Sequence, residues 1–353
     1  MILTDSFNKD WVLSCKNKIK GSDPSIIERM IWAYYLAENL ALSELKFLFK
    51  GGTSLALVFD KLRRFSVDID ILTNDTRDNL EKCLNKIVDN STFIRYELDE
   101  KRSYKDGIPK AHYKFFYSSL VNDIEDAVLL DVLFDNFSTT DILRSKIQSE
   151  LLITEEPIIN IVTPTINLFM GDKLTAFAPN TIGIRFGVSK EMEIIKQIFD
   201  LNFIFDNITD LQCVLNNYKI FSEKQIIYRS LDIEMKDTLQ DTINTALMIA
   251  FGRSNVFNNE GDKEKYEEII MGIRQFKQFS AGGNFTIDSV VLSTAKVAYL
   301  SYILLSKLEI NFKKYNEDDD IKNYLIQKSD YSKLNKIKAI PGGALYYLNQ
   351  ILK

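Results

Sequence analysis

Apolar residues recur at helical spacing through "SIIERMIWAYYLAENLAL", residues 25–42, and residues 22–25 with Pro24 supply an entry signal for a helix. From about residue 46 the runs shorten. "FLF", "VDIDIL", "FIRYELDE", "HYKFFYSSL", "AVLLDVLF" and "INIVTP" are short or alternating and predict strands, punctuated by "KDGIPK" and "NDIED". One helix, "TRDNLEKCLNKIVDN", falls between the second and third of these runs. After Pro164 the helical period returns, roughly over residues 165–178, 190–207, 209–229, 234–251, 263–279 and 287–310. The loops "APNTIGIRFGVSK" and "FSAGGNFT" carry the glycines that helices avoid. The pattern therefore predicts an α+β sheet lobe over residues 1–163 and an all-helical lobe over 164–353.

Composition narrows the chemistry. A chain of 353 residues, 46% apolar and 26% charged, has material for a large core divided into two lobes. Cys15, Cys83 and Cys213 are far apart and lack C-x-x-C spacing, which argues against a disulfide framework and a structural zinc site. A single histidine, His112, excludes a His-rich metal centre, and its place in the alternating "KAHYKFFYSSL" predicts a partly exposed strand residue. Chemistry must then run on carboxylates, lysines and arginines. The net charge of -5 gives no global case for nucleic-acid binding. The opening residues lack a signal-peptide pattern, and "STAKVAYLSYILLSKLEI" is interrupted by Lys296 and Lys307, so a soluble, cytoplasmic protein without membrane contact is expected.

The candidate chemistry lies in "KGGTSLALVFDKLRRFSVDIDIL", residues 50–72. Residues two apart on a strand share a face and lie about 7 Å apart, so Asp68 and Asp70 project together, away from Val67, Ile69 and Ile71. An exposed edge strand alternates in the same way. Before the pair, a strand ends at Gly51 and Gly52, and Thr53 and Ser54 open a short helix, "TSLALVFDKL". Glycines let backbone N–H groups approach a ligand, and a helix N-terminus attracts phosphate. A carboxylate pair following such a cradle suits Mg²⁺, which binds one or two carboxylates together with phosphate oxygens. The P-loop pattern is absent.

Asp131 interrupts the apolar run "AVLLDVLFD", where an ionised group is costly unless paired or metal-bound; Asp135 reads as a loop residue. Lys173 falls on one helical stripe with Ile166, Met170 and Phe177, so its ammonium either meets an anion or reaches past the helix end to solvent. Arg63 and Arg64 could serve phosphate oxygens or solubility. Residues 322–338 hold five lysines against one aspartate, with Tyr324 and Tyr331 interleaved; they suit either an RNA backbone or a solvated face balancing "NEDDD" at 316–320.

This constellation resembles the first motif of the DNA polymerase β-like nucleotidyltransferases, and within them the AbiEii/AbiGii abortive-infection toxins of type IV toxin–antitoxin pairs. Lys50, Gly51, Gly52, Thr53 and Leu55 match "KGGT-L"; Arg64, Ser66, Asp68, Ile69 and Asp70 match "R-S-DID". Lys173, Leu174 and Ala176 match the family's "KL-A" helix, and Lys196, Asp200 and Leu201 its "(R/K)D-YDL" helix. Gln197 replaces the first acidic residue there, and "APNTIGIRFGVSKEM" sets the two motifs unusually far apart.

The resemblance implies a polymerase β-like mixed sheet followed by helices. It implies an NTP substrate, with Mg²⁺ or Mn²⁺ held by Asp68, Asp70 and Asp131. Gly51, Gly52, Thr53, Ser54, Arg64 and Ser66 would face the nucleotide. Lys173 would neutralise the departing pyrophosphate, with Asp200 in support. The expected activity is transfer of a nucleoside monophosphate to an acceptor, with tRNA or another RNA as candidate, by a toxin neutralised by a cognate winged-helix AbiEi-like antitoxin. A small-molecule nucleotidyltransferase of the antibiotic-modifying kind and a non-catalytic nucleotide-binding member are the alternatives.

Overall fold

Helix α1 (Lys9–Lys18) begins where the Asn8 side chain accepts the Asp10 amide, and α2 (Pro24–Leu42) where Asp23 accepts the Ser25 amide. Pro24 occupies the first turn of α2, where its missing N–H is no loss. The computed structural model describes all residues except 20–21, 60, 104–107 and 138–139. Half of the expected "KDGIPK" turn, residues 105–107, and Asp60 of the expected helix after the glycines, thus lie outside the described residues.

After α2 come β1 (Leu48–Lys50), α3 (Gly51–Val58), β2 (Asp68–Thr73), α4 (Arg77–Asn90), β3 (Arg95–Leu98), the single turn α5 (Glu100–Ser103), β4 (Lys110–Ser119) and β5 (Ile124–Phe134). The five strands form one mixed sheet in the order β1-β2-β5-β4-β3. Only β2 and β5 run parallel; the other pairings are antiparallel.

Strand alternation gives the sheet two unlike faces. Ile69, Ile71, Val128, Leu130, Val132, Tyr113, Phe115 and Tyr117 are buried in one core with Ile27 and Ile31 of α2 and Leu80, Leu84 and Ile87 of α4. Asp68, Asp70, Leu129, Asp131, His112 and Lys114 occupy the opposite face and stay partly exposed. Asp131 therefore does not sit inside a strand buried on both sides, as its apolar neighbours suggested. Leu129 and Leu133 share its half-exposed face.

A separate antiparallel pair, β6 (Ile142–Lys146) with β7 (Asn160–Pro164), completes this part of the chain. "INIVTP" announced β7. β6, "ILRSK", escaped the pattern because Arg144 and Lys146 face solvent while its buried Ser145 pairs with the Thr163 hydroxyl at 2.7 Å.

The remaining helices are α6 (Ile166–Ala176), α7 (Glu191–Asn207), α8 (Leu211–Tyr228), α9 (Met235–Arg253), α10 (Glu260–Phe276), α11 (Ile287–Leu305) and α12 (Ala344–Leu352). An 11-residue 3-10 run, Ser329–Ala339, precedes α12. α11 has the length and apolarity to cross a membrane, yet 72% of it is buried within the protein. Its Lys296 is also buried, with Nζ 2.8 Å from Asp206 Oδ1 and 3.0 Å from Asn202 Oδ1.

By internal contacts the chain forms two compact units, Met1–Thr165 with Gln278–Gly283, and Ile166–Lys277 with Asn284–Lys353. Residues 278–283 join the first unit as a strap along residues 63–65. The Phe65 amide donates to Phe279 O at 2.7 Å, and the Ala281 amide to Arg63 O at 3.0 Å.

Candidate active site

The site is assembled where β1 gives way to α3. Gly51 turns the chain with φ +80°, a left-handed conformation that favours glycine. A Cβ there would lie 1.9 Å from Asp70 Oδ2, so the bare backbone is what admits the carboxylate. Gly52 is equally confined: its Cβ would fall 2.3 Å from Arg64 Nη2 and 2.6 Å from Ser66 Oγ. The two glycines thus bring the first turn of α3 against an aspartate, an arginine and a serine. Arg64 is 7% exposed, and its Nη1 donates to Phe65 O at 3.0 Å.

Thr53 and Ser54 were expected to face the nucleotide; in the structure both side-chain hydroxyls turn inward. Thr53 Oγ1 lies 2.7 Å from Asp68 O and 3.0 Å from Ser66 O, and Ser54 Oγ donates to Phe49 O at 2.6 Å. Both residues are fully buried. The hydroxyls clamp the first turn of α3 to β1 and β2 beside it, through Phe49 O and Asp68 O. What remains for an anion is the backbone N–H groups of the first turn.

Asp70 and Asp131 are register partners on the parallel pair β2 and β5, with Cα atoms about 4.8 Å apart. Asp68 lies two residues earlier on the same face. The Asp131 carboxylate is gripped from the other side: its Oδ1 is 2.6 Å from His112 Nδ1 and its Oδ2 3.3 Å from Arg102 Nη2. His112 stands opposite Asp131 in the β4–β5 register, and Arg102 comes from α5.

Among the described residues no three His, Cys, Asp or Glu side chains gather closely enough to hold a metal ion. The donors that fit a divalent cation are the Asp68 and Asp70 carboxylates, a hard-oxygen pair of the kind Mg²⁺ uses with substrate phosphates. Asp131, expected as a third ligand, is adjacent in register but held by a histidine and an arginine.

In the helical unit, Lys173 Nζ lies 2.8 Å from Asp200 Oδ2, with the two side chains 8% and 4% exposed. Gln197 Oε1 is a further acceptor at 3.4 Å, so the residue that departs from the family pattern faces the same ammonium. The long segment between the motifs is folded down rather than intervening. The buried carboxylate of Asp241 accepts the Asn180 amide at 2.8 Å and the Thr181 hydroxyl at 2.9 Å, while Thr242 Oγ1 donates to Phe177 O at 2.9 Å. Lys173 meets an anion, of the two outcomes its stripe left open.

Sequence reasoning missed His112 and Arg102 as partners of Asp131, and the strap against residues 63–65. For His112 a signal existed: a lone histidine on the open face of a strand, with an aspartate on the open face of another. Only the register shows that they meet.

Two solved structures of Helicobacter pylori proteins resemble this chain. A candidate nucleotidyltransferase is 14% identical, with 80% of this chain and 95% of that one covered and a TM-score of 0.43. JHP933 is 12% identical, with 88% and 95% covered and a TM-score of 0.45. No curated protein matches the sequence. Residues 34–267 match the family described as "Nucleotidyl transferase AbiEii toxin, Type IV TA system", a stretch that takes in the glycine turn, Asp68, Asp70, Asp131, Lys173 and Asp200. The chain therefore belongs to the AbiEii family of nucleotidyltransferase toxins, which use an NTP and are paired with a cognate antitoxin.

Proposed function

We propose that the protein transfers a nucleoside monophosphate from an NTP to a hydroxyl of RNA, with release of pyrophosphate, and that it requires Mg²⁺. The observation that carries this reading is the Asp68–Asp70 face of β2 set against the glycine start of α3, so that phosphate donors and cation ligands share one edge. The first-turn amides of α3, with Arg64 and Ser66 beside Gly52, bind the triphosphate. Asp68 and Asp70 hold the Mg²⁺, which when bound supplies positive charge to the phosphate oxygens. Asp131, oriented by His112 and Arg102, accepts the proton of the attacking hydroxyl at its carboxylate and adds to the anionic wall that retains the cation. Lys173, fixed by Asp200, supplies positive charge for the departing pyrophosphate.

The antitoxin is of the winged-helix AbiEi-like kind, and the toxin acts in the cytoplasm, where NTPs and RNA are found. Purified protein incubated with Mg²⁺ and each labelled NTP, with and without total RNA, tests the reading. Label entering RNA, and absent with Asp68→Asn, supports it. Label found only on a small molecule points to an antibiotic-type enzyme, and no transfer at all points to a nucleotide-binding member.

A further inference from the structure

The segment at 322–338 lies outside the stretch matched to the family and takes no part in the site above. Lys322, Lys328, Lys333, Lys336 and Lys338 are all exposed, and among the described residues none of the five has an ion-pair partner. Three of the neighbouring acids are engaged elsewhere. Asp319 accepts the Tyr324 hydroxyl at 2.6 Å, Asp320 the Lys322 amide at 3.0 Å, and Asp330 the Ser329 hydroxyl at 3.1 Å. The face balancing "NEDDD" that the sequence allowed is therefore not formed by direct pairing.

The backbone explains how the lysines come to be displayed. Ser329–Ala339 is a 3-10 helix, in which residues three apart eclipse one another. Leu334, Ile337 and Ile340 form the buried row of this register. Lys333 and Lys336 then make a second row and Lys338 ends the third, after Ser332 and Asn335, three ammonium groups along about 10 Å of axis. Tyr331 stands at the head of the buried row, three residues before Leu334, with its ring 6.0 Å from that of Phe251 and Lys328 Nζ 5.7 Å from its centroid, so it anchors the segment rather than lining the lysine rows.

We propose that this ledge binds the phosphate backbone of the RNA acceptor. The chain as a whole carries a net charge of -5, so the ledge must overcome a generally repulsive field, and its removal is correspondingly costly. The inference rests on the RNA reading above, and binding separates it from transfer.

The test is fluorescence anisotropy of a fluorescein-labelled single-stranded RNA oligonucleotide with the full chain, between 50 and 200 mM salt, for the wild type, Asp68→Asn and the triple variant Lys333→Gln, Lys336→Gln, Lys338→Gln. Each lost phosphate contact on a single strand changes the salt slope by about 0.7, so the triple variant flattens the slope by about 2. The wild type's excess loss of affinity over this salt range is then about 20-fold. The variant is required to melt as the wild type does; if it does not, Lys338→Gln and Lys333→Gln are measured singly and must each flatten the slope. Asp68→Asn is expected to bind RNA as the wild type does while transferring nothing. Unchanged slope and affinity in the lysine variants overturn the ledge while leaving nucleotidyl transfer to RNA standing. A wild type that transfers label to a small molecule and binds no RNA overturns both the ledge and the RNA acceptor.

Discussion

Replacing Gly51 with alanine asks two things of the protein at once. An L residue at φ +80° costs about 1–2 kcal/mol. The new Cβ also arrives 1.9 Å from Asp70 Oδ2 and 2.8 Å from Asp70 Cγ, against ordinary contacts that begin at 3.4 Å. The carboxylate must retreat by about 1.5 Å, and a misplacement of about 1 Å at a reacting centre can cost about 100-fold in rate. Gly187→Ala is the matched control: its φ is +74°, but a Cβ there meets nothing within 4 Å, so only the backbone strain is imposed. By urea denaturation Gly187→Ala is expected to lose the strain alone, and Gly51→Ala that much plus the cost of moving Asp70. Only Gly51→Ala is expected to lose nucleotidyl transfer, by about 100-fold or more in a single-turnover assay with labelled NTP. Transfer by Gly51→Ala within threefold of Gly187→Ala would mean that the Asp70 position is not what Gly51 protects.

Lys173→Met removes the ammonium 2.8 Å from the Asp200 carboxylate in a site only 4% exposed, and is expected to destabilise the protein by about 3–5 kcal/mol. Adding Asp200→Leu should return most of that, read from guanidinium unfolding midpoints. Thr53→Val keeps the shape but loses the donor to Asp68 O and Ser66 O, which should cost about 1–3 kcal/mol and lower the transfer rate more than it weakens NTP binding. The hydrogen bond to Asp319 holds the Tyr324 phenol up at about 12. Because the folded value lies above that of an unfolded tyrosine, the stabilisation is complete below about pH 10 and is lost as pH rises through 12. Asp319→Asn should bring the midpoint of Tyr324 ionisation down toward 10 in ultraviolet titration, and an unchanged midpoint would contradict the assignment.

Much of the fold was legible because period decides it. The runs around Ile69, Tyr113 and Leu130 alternate as half-buried strands must, and the helices from α7 to α11 begin and end within a few residues of where their apolar stripes do. The same alternation placed Asp68 and Asp70 on one face. It misled at Asp131, since a run such as "AVLLDVLF" looks buried on both sides when its outer leucines are only half covered. The inward hydroxyls of Thr53 and Ser54 were hidden for a different reason: spacing shows that a helix begins there, while packing decides which way a short side chain turns. Neither the His112–Asp131 pair nor the strap at 278–283 could be seen without register, because each joins residues that no local pattern connects.

The strap bears on where this chain can be cut. A fragment ending at residue 267, the limit of the stretch matched to the family, would retain every site residue named above. It would also strip Phe279 O from the Phe65 amide and the Ala281 amide from Arg63 O, leaving two backbone groups unpaired on either side of the buried Arg64. Such a piece would carry the whole catalytic alphabet and lose the backbone that holds Arg64 in place. Trimming experiments and minimal-domain designs should therefore keep residues 278–283, together with the Asn284–Lys353 part of the helical unit that follows them, however little the sequence of that stretch advertises.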